Sequence, residues 1–456
     1  MFAMNTRGVG TDRRANATAR PESTHSLRHV SRAAFVGSAI EFYDFFIYGT
    51  AAALVFPTVF FPDLSHVMAT TASLGTFAAA FVSRPIGAAV FGHFGDRIGR
   101  KRILVLTLLM MGIATVGIGL IPSSASIGVA APLLLIALRL VQGFAVGGEW
   151  AGSALLSAEH APPNRRGYYG MFTQLGLGTA LMLANLVFLG VHLAFGETSS
   201  AFLQWGWRIP FLLSAVLIVT ALYIRLRVPE TPEFAEGADA AQQPHTGVPL
   251  VVLFRSQGRQ LLLAAGAATC VPMLVYQAGT FFTHYAAAHM GYPMSLVLLV
   301  GVIGGLCAVA CAACSATLSD THGRRRMLAL GFVVALPWSL VIFPLIDLHN
   351  EWVFALSLVI TYAVIGFCMG PLAAFIPELF AARYRYTGAA LALNAGGILG
   401  GAVPPVVSPL LLASFGTWAV AAMMGGLALV SLVCVALLPE TAGRQGSPTA
   451  AAPVTG

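Results

Sequence analysis

Four charged side chains, Glu41, Asp44, Arg84 and Arg139, stand inside long apolar runs of this chain. On insertion scales each costs about 2.5–3.5 kcal/mol in a bilayer, so their retention calls for a role. Glu41, Asp44 and Tyr48 recur at helical spacing and share one face. A carboxyl group there can take up and release a proton, while an arginine at similar depth can hold an anion. Glu41 lies about 15 Å into its run and Arg139 about 12 Å from the opposite surface, at 1.5 Å per residue. An acid–Arg139 pair is therefore expected. An anion that takes over Arg139 removes the acid's partner, and the acid then binds a proton, so the two travel together. The alternative is a salt bridge that only fixes helix packing. Arg84 either binds the anion too or braces a gate. Gln142, Tyr276, Gln277, Tyr362 and Asn394 are the other polar candidates; a lone Tyr or Asn in a bundle is more often a helix-to-helix hydrogen bond than a ligand contact, and the same holds for Gln174 and Asn185. His284 and His289 fall near an outer surface, where a titrating histidine needs no special role.

Other chemistry finds little support. The glycine-rich stretches lie in apolar helices and not after a strand, so a nucleotide-binding loop fails on context. No catalytic constellation is found. Cys307, Cys311 and Cys314 share a helical face, but small residues at a helix contact explain them better than a metal site. Neither a metal, nor a disulfide framework, nor any cofactor is expected.

These residues need elements to hold them. Of 456 residues 57% are hydrophobic and 9% charged, with a mean hydropathy of +0.81, whereas soluble domains carry about 25% charged residues. The chain is read as an integral membrane protein. The net charge of +7 does not indicate nucleic acid, because Lys and Arg concentrate in alternate loops. That asymmetry puts both termini in the cytoplasm and requires an even number of spans.

At about 20 residues per span, the length accommodates about twelve helices. The expected spans are 31–56, 70–94, 102–121, 131–156, 168–189, 208–226, 261–286, 293–318, 327–346, 352–376, 387–412 and 417–438. The fold class is thus an all-α membrane protein, with twelve transmembrane helices in two pseudo-symmetric six-helix bundles. Residues 1–30 read as a disordered cytoplasmic tail and 31–228 as the first bundle. Residues 229–257 read as a cytoplasmic linker, 258–438 as the second bundle, and 439–456 as a cytoplasmic tail. GxxxG pairs in the fourth and eleventh helices mark close helix contacts.

The densest charge cluster is the loop Gly92-His93-Phe94-Gly95-Asp96-Arg97-Ile98-Gly99-Arg100-Lys101-Arg102. Ser319-Asp320-Thr321-His322-Gly323-Arg324-Arg325-Arg326 repeats its order of acid, glycine and basic cluster half a chain later, with Thr321-His322 where the first copy has Arg97-Ile98. A repeated loop between repeated apolar runs argues for duplication, and so for a carrier with its site between the halves.

With these loops, Arg139-Leu140-Val141-Gln142-Gly143, and Glu159 to Gly167 with its counterpart Pro377-Glu378-Leu379-Phe380, the chain resembles the major facilitator superfamily over its whole membrane part. Glu41 to Gly49, Arg84-Pro85-Ile86-Gly87, Gln142 to Trp150 and Trp205 to Phe211 make it similar to the metabolite:proton symporter family. That family includes carriers for α-ketoglutarate, citrate, shikimate and betaine or proline. The resemblance implies a secondary carrier of a bacterial inner membrane, working by alternating access. Its only energy source would be the proton gradient, and its partners a small-molecule substrate, protons and the lipid bilayer, with no obligatory protein partner. It implies that the first and fourth helices line the cavity. Gly92, Gly95, Asp96, Arg97, Gly99, Arg100, Glu149, Glu159, Arg166, Asp320, Arg324 and Glu378 would form the cytoplasmic gates, with Asp96 docking on the eleventh helix. The membrane arginines favour a small organic acid. The alternatives are a zwitterionic osmolyte such as betaine and a non-transporting nutrient sensor.

Overall fold

The computed structural model describes residues 23–98, 100–147, 165–196, 199–227, 249–381 and 385–442. Twelve long helices follow in order: α1 Ser23–Leu54, α2 His66–Ile98, α3 Arg100–Leu120, α4 Ala130–Gly147, α5 Arg166–Phe195 and α6 Ile209–Arg227. In the second half α7 opens with Pro249–Ala267 and continues to His289, followed by α8 Met294–His322, α9 Arg324–Ile346 and α10 Glu351–Glu378. Then α11 begins at Arg385 and ends in Val403–Phe415, and α12 is Thr417–Leu437. Ten of these carry a stretch long and apolar enough to cross a membrane, and α1 and α3 complete the set. Helices satisfy their own backbone groups, which hydrocarbon demands.

The ends run past the expected spans. Helix α1 starts at Ser23, inside the expected tail, and α7 at Pro249, inside the expected linker. Hydropathy finds only the apolar middle of a helix, while the 33 residues of α2 reach about 50 Å, beyond an apolar core of about 30 Å. Gln257 breaks α7 with non-helical backbone angles (φ −130°, ψ 22°) near the expected start of its span.

Large apolar side chains cover the outside, among them Ile113, Leu262 and Trp352, each at least 73% exposed. Polar groups are turned inward. Arg208 donates to the carbonyls of Gly119 (2.8 Å) and Ile121 (2.7 Å) at the end of α3, acceptors that a helix end leaves unpaired.

Between the halves, α5 runs along α8 and α10, α2 along α11, and α1 against α7. Within the first half, α2 and α4 cross at backbone contact: a Cβ on Gly143 would lie 1.9 Å from the Ala80 carbonyl oxygen, and one on Gly147 2.0 Å from that of Arg84. Only glycine fits there, and the crossing brings Arg84 and Arg139 together. Gly400 of α11 meets the Thr269 carbonyl of α7 in the same way, at 2.0 Å. Both α7 and α11 widen into π-helical turns, at Gln277–Phe281, Tyr285–His289 and Gly397–Ala402, a distortion common at functional sites.

Candidate functional site

Asp44 is 1% exposed. Its carboxylate accepts from Thr115 of α3 (2.6 Å) and Ser214 of α6 (2.7 Å). Thr115 in turn accepts from the Gln142 amide nitrogen (2.6 Å), and the Gln142 oxygen accepts from Arg139 (2.8 Å). The expected direct acid–Arg139 pair is therefore replaced by a relay, Arg139–Gln142–Thr115–Asp44. Gln142 follows Arg139 by one turn of α4 and occupies the space between the charges.

The Arg139 guanidinium lies over Tyr48 (4.0 Å), Phe45 (4.3 Å) and Phe77 (5.0 Å). That of Arg84 lies over Phe45 and Phe81, at 4.3 Å each. Desolvated cation–π contacts of this kind contribute about 2 kcal/mol or more. They offset burial without using the N–H donors: Nε and Nη2 of both arginines are buried with no hydrogen-bond partner. Unmet buried donors are costly and point to a ligand that meets them. Tyr48 donates to Thr76 of α2 (2.6 Å).

The second half contributes Tyr276. Its ring packs on Phe77 (5.1 Å) and Phe81 (5.4 Å), and its hydroxyl is within hydrogen-bonding reach of Arg84. Glu41, 2% exposed, also faces this tyrosine. Gln277 turns away and donates to Ser408 of α11 (2.7 Å), leaving its oxygen unpartnered. Two sequence candidates lie outside the cluster's bonds. The Tyr362 ring packs on α8, where a Cβ on Gly304 would lie 2.0 Å from it, and Asn394 donates to Ala390 of its own helix (2.9 Å). Gln174 bridges α5 to the Met369 carbonyl of α10 (3.1 Å), and Asn185 donates to Leu181 of its own helix (2.9 Å).

At the end of the bundle expected to face the cytoplasm, Asp320 accepts from the Gly167 (2.8 Å) and Tyr168 (2.9 Å) backbone N–H groups at the start of α5. Arg324 pairs with Asp320 (3.4 Å) and with Glu378, which also faces Arg166 at 3.8 Å. These four gate candidates thus join the halves. The remaining ones, Gly92, Gly95, Asp96, Arg97, Gly99, Arg100, Glu149 and Glu159, lie outside the described residues or have side chains outside them. Glu440, just past α12, accepts from the Arg324 (2.9 Å) and Arg325 (3.2 Å) N–H groups and caps α9.

Sequence reasoning missed Thr115, Ser214, Phe45, Phe77 and Phe81. Single hydroxyls and phenylalanines in apolar runs carry no signal of their own. Glu440 and His284 were also missed as contacts; His284, half-buried, is at the junction of α1, α2 and α7.

A model of the sugar (and other) transporter family matches residues 30–244 and again 239–447. The inner membrane metabolite transport protein YhjE of Escherichia coli is 41% identical over 91% of this chain and 95% of its own length. The shikimate transporter of Escherichia coli is 38% identical over 87% and 91%. In fold, the proton:xylose symporter XylE of E. coli, a major facilitator superfamily protein, superposes with a TM-score of 0.72 at 20% identity, over 93% of this chain and 98% of that one. A model that matches both halves in turn, twelve helices among the described residues and relatives matched over most of their length agree: the chain is a membrane transporter of the sugar (and other) transporter family, with the fold of the major facilitator superfamily symporter it superposes on.

Proposed function

We propose that this transporter carries a small organic acid together with protons across a bacterial inner membrane, by alternating access. Both termini would lie in the cytoplasm, and the proton gradient would be the only energy source. The observation that carries the reading is a pair of arginines with buried, unmet donors, one of which, Arg139, is joined through Gln142 and Thr115 to a buried carboxyl group. A carboxylate has the acceptors to meet those donors, in a two-pronged geometry.

The relay is polarised in one direction. Arg139 donates to Gln142, Gln142 to Thr115, and Thr115 to Asp44. An anion on Arg139 neutralises the positive end of this chain. Asp44 then keeps only two hydroxyl partners in a dry setting, and binding a proton becomes the cheaper state. Glu41, near Tyr276 where the halves meet, is the second proton candidate.

The aromatic cluster supports a second reading, since such rings also receive quaternary ammonium groups as in betaine. Their faces are taken by guanidinium groups here, which favours the anion. Uptake by proteoliposomes of labelled mono- and dicarboxylates and of betaine, with and without an inward proton gradient, tests both. Gradient-driven accumulation of an acid is expected; accumulation of betaine alone would reverse the choice.

A further inference from the structure

Arg84 and Arg139 leave the same edge of the guanidinium group open. On each, Nε and Nη2 are buried with no hydrogen-bond partner. The Nε–H and one Nη2–H run parallel along one side of the group, and that edge is a fork that takes both oxygens of a carboxylate. The rest of each group is used within the protein. Nη1 of Arg139 donates to Gln142 (2.8 Å), and Arg84 is within hydrogen-bonding reach of the Tyr276 hydroxyl.

The two forks belong to one site. Both guanidinium carbons lie 4.3 Å from the centre of the Phe45 ring, so they are separated by at most twice that distance. Their helices are locked together: α2 and α4 touch where a Cβ on Gly147 would lie 2.0 Å from the Arg84 carbonyl oxygen. The crossing holds the two side chains in a fixed register.

A single carboxylate cannot fill both forks. Its two oxygens present one edge to a fork, and the acceptor sites that remain point away from that edge, one to a side. It would complete one arginine and leave the other short of a partner and of a counter-charge. Two carboxylates on one carbon chain meet both forks and both charges. With bonds of about 1.5 Å, a chain of about four or five carbons spaces its carboxyl groups about 4–5 Å apart, within the span of the two guanidinium groups. The rings of Phe45, Phe77, Phe81 and Tyr276 around them give a methylene spacer an apolar wall, which an inorganic dianion would not use. The amino group of a zwitterion would meet two like charges here.

We propose that the carried acid is a short dicarboxylate, with one carboxylate held by Arg139 and the other by Arg84. The inference rests on the organic-acid reading and narrows it to diacids. Arg139 ties its carboxylate to the relay that ends at Asp44, and Arg84 holds the other beside Tyr276 of the second half. A diacid thus reaches from the proton relay to the facing half.

The test uses the full chain in proteoliposomes with an inward proton gradient, at a near-neutral external pH where diacids are dianions, and protein-free vesicles as the blank. Labelled succinate and glutarate are compared with their monoamides, succinamate and glutaramate, which keep the shape and lose one carboxylate. The diacids should accumulate with an apparent KM about tenfold or more below that of the monoamides. Arg84→Gln should abolish most of this preference, and Arg84→Lys, which keeps the charge but loses the fork, should fall between. A parent chain with no preference for the diacids, or an undiminished preference in Arg84→Gln, would overturn the second carboxylate and leave the organic-acid reading standing. If sulfate competes as well as succinate, the site takes a compact dianion and the proposal fails. Accumulation of none of these acids would count against the organic-acid reading itself.

Discussion

Asp44 and Arg139 belong to one hydrogen-bonded chain but do not touch; Gln142 and Thr115 stand between them. The two buried charges therefore sense one another through oriented dipoles. Either can change its partner without the other being left in a vacant ion pair, the situation that makes broken buried pairs so costly.

Removing the titrating end should uncouple transport. Asp44→Asn keeps the size and one acceptor oxygen but cannot cycle a proton. Accumulation against a gradient should vanish in proteoliposomes, while exchange of labelled for unlabelled substrate continues. Unimpaired accumulation would place coupling at Glu41, so Glu41→Gln is the companion measurement.

Cutting the relay is subtler. Gln142→Leu leaves both charged ends in place and deprives Arg139 and Thr115 of a partner, at about 1–3 kcal/mol for each buried group. The protein should melt earlier, and the ratio of protons to substrate, read from simultaneous pH and uptake traces, should fall. An unchanged ratio would show that the proton and anion sites are coupled by another route.

Arg139→Lys keeps the charge and loses the planar fork. Apparent KM for a carboxylate substrate should rise about tenfold, equivalent to about 1.4 kcal/mol, with insertion unaffected. A constant KM would shift the anion to Arg84.

The spans, the repeated loop and the buried charges were all legible in the sequence, because each is written in local hydropathy or residue type. Thr115 and Ser214 were not, since one hydroxyl in an apolar run reads the same whether it bonds its own helix or a carboxylate on another. Nor was His284: its partners, Ala53 and Thr70, come from the other half of the chain. The packing of Tyr362 and the bond of Asn394 to its own helix were hidden for the converse reason. A polar side chain in a bundle is often used for packing or for its own helix, and only the fold tells which.

Past the last membrane-spanning helix, Glu440 offers a readout of the end of the second half where α9 begins. Burial alone would raise its carboxyl group's pKa, but the N–H groups of Ala442, Arg325, Thr441 and Arg324 outweigh it and hold the group below the usual carboxylate range. A depressed value contributes stability that is complete above the ordinary glutamate range and lost as pH falls through the depressed one. Glu440→Ala should lower thermal stability by about 1 kcal/mol, as for a lost helix cap. At a pH acid enough to protonate Glu440, the two proteins should melt alike; a difference that persists there would mean that the carboxylate is not the cap.

The inner gate can be tested at Asp320 and Gly167. The Asp320 carboxylate sits on the first turn of α5, where the N–H groups and the positive end of the helix dipole favour an anion by about 0.3–1 kcal/mol when exposed and about 2 when partly buried. This contact crosses between the halves, so under the proposed alternating access it would exist only while that side is closed, and losing it would favour the inward-open state. Asp320→Asn keeps the size and one acceptor oxygen while losing the charge. Gly167→Ala keeps the charge but adds a Cβ that would lie 2.7 Å from both the Ala316 carbonyl and the Asp320 carboxylate, so the helices must separate. Both variants should label faster at a cysteine placed in the cytoplasm-facing cavity and show slower net uptake, with substrate affinity largely kept. A loss of 1.4 kcal/mol would shift the ratio of the two states about tenfold, well within the reach of labelling rates. If Gly167→Ala labels and transports like the parent chain, the contact between α5 and α8 is not the inner gate, and closure must depend on the pairing of Glu378 with Arg166 and Arg324 instead.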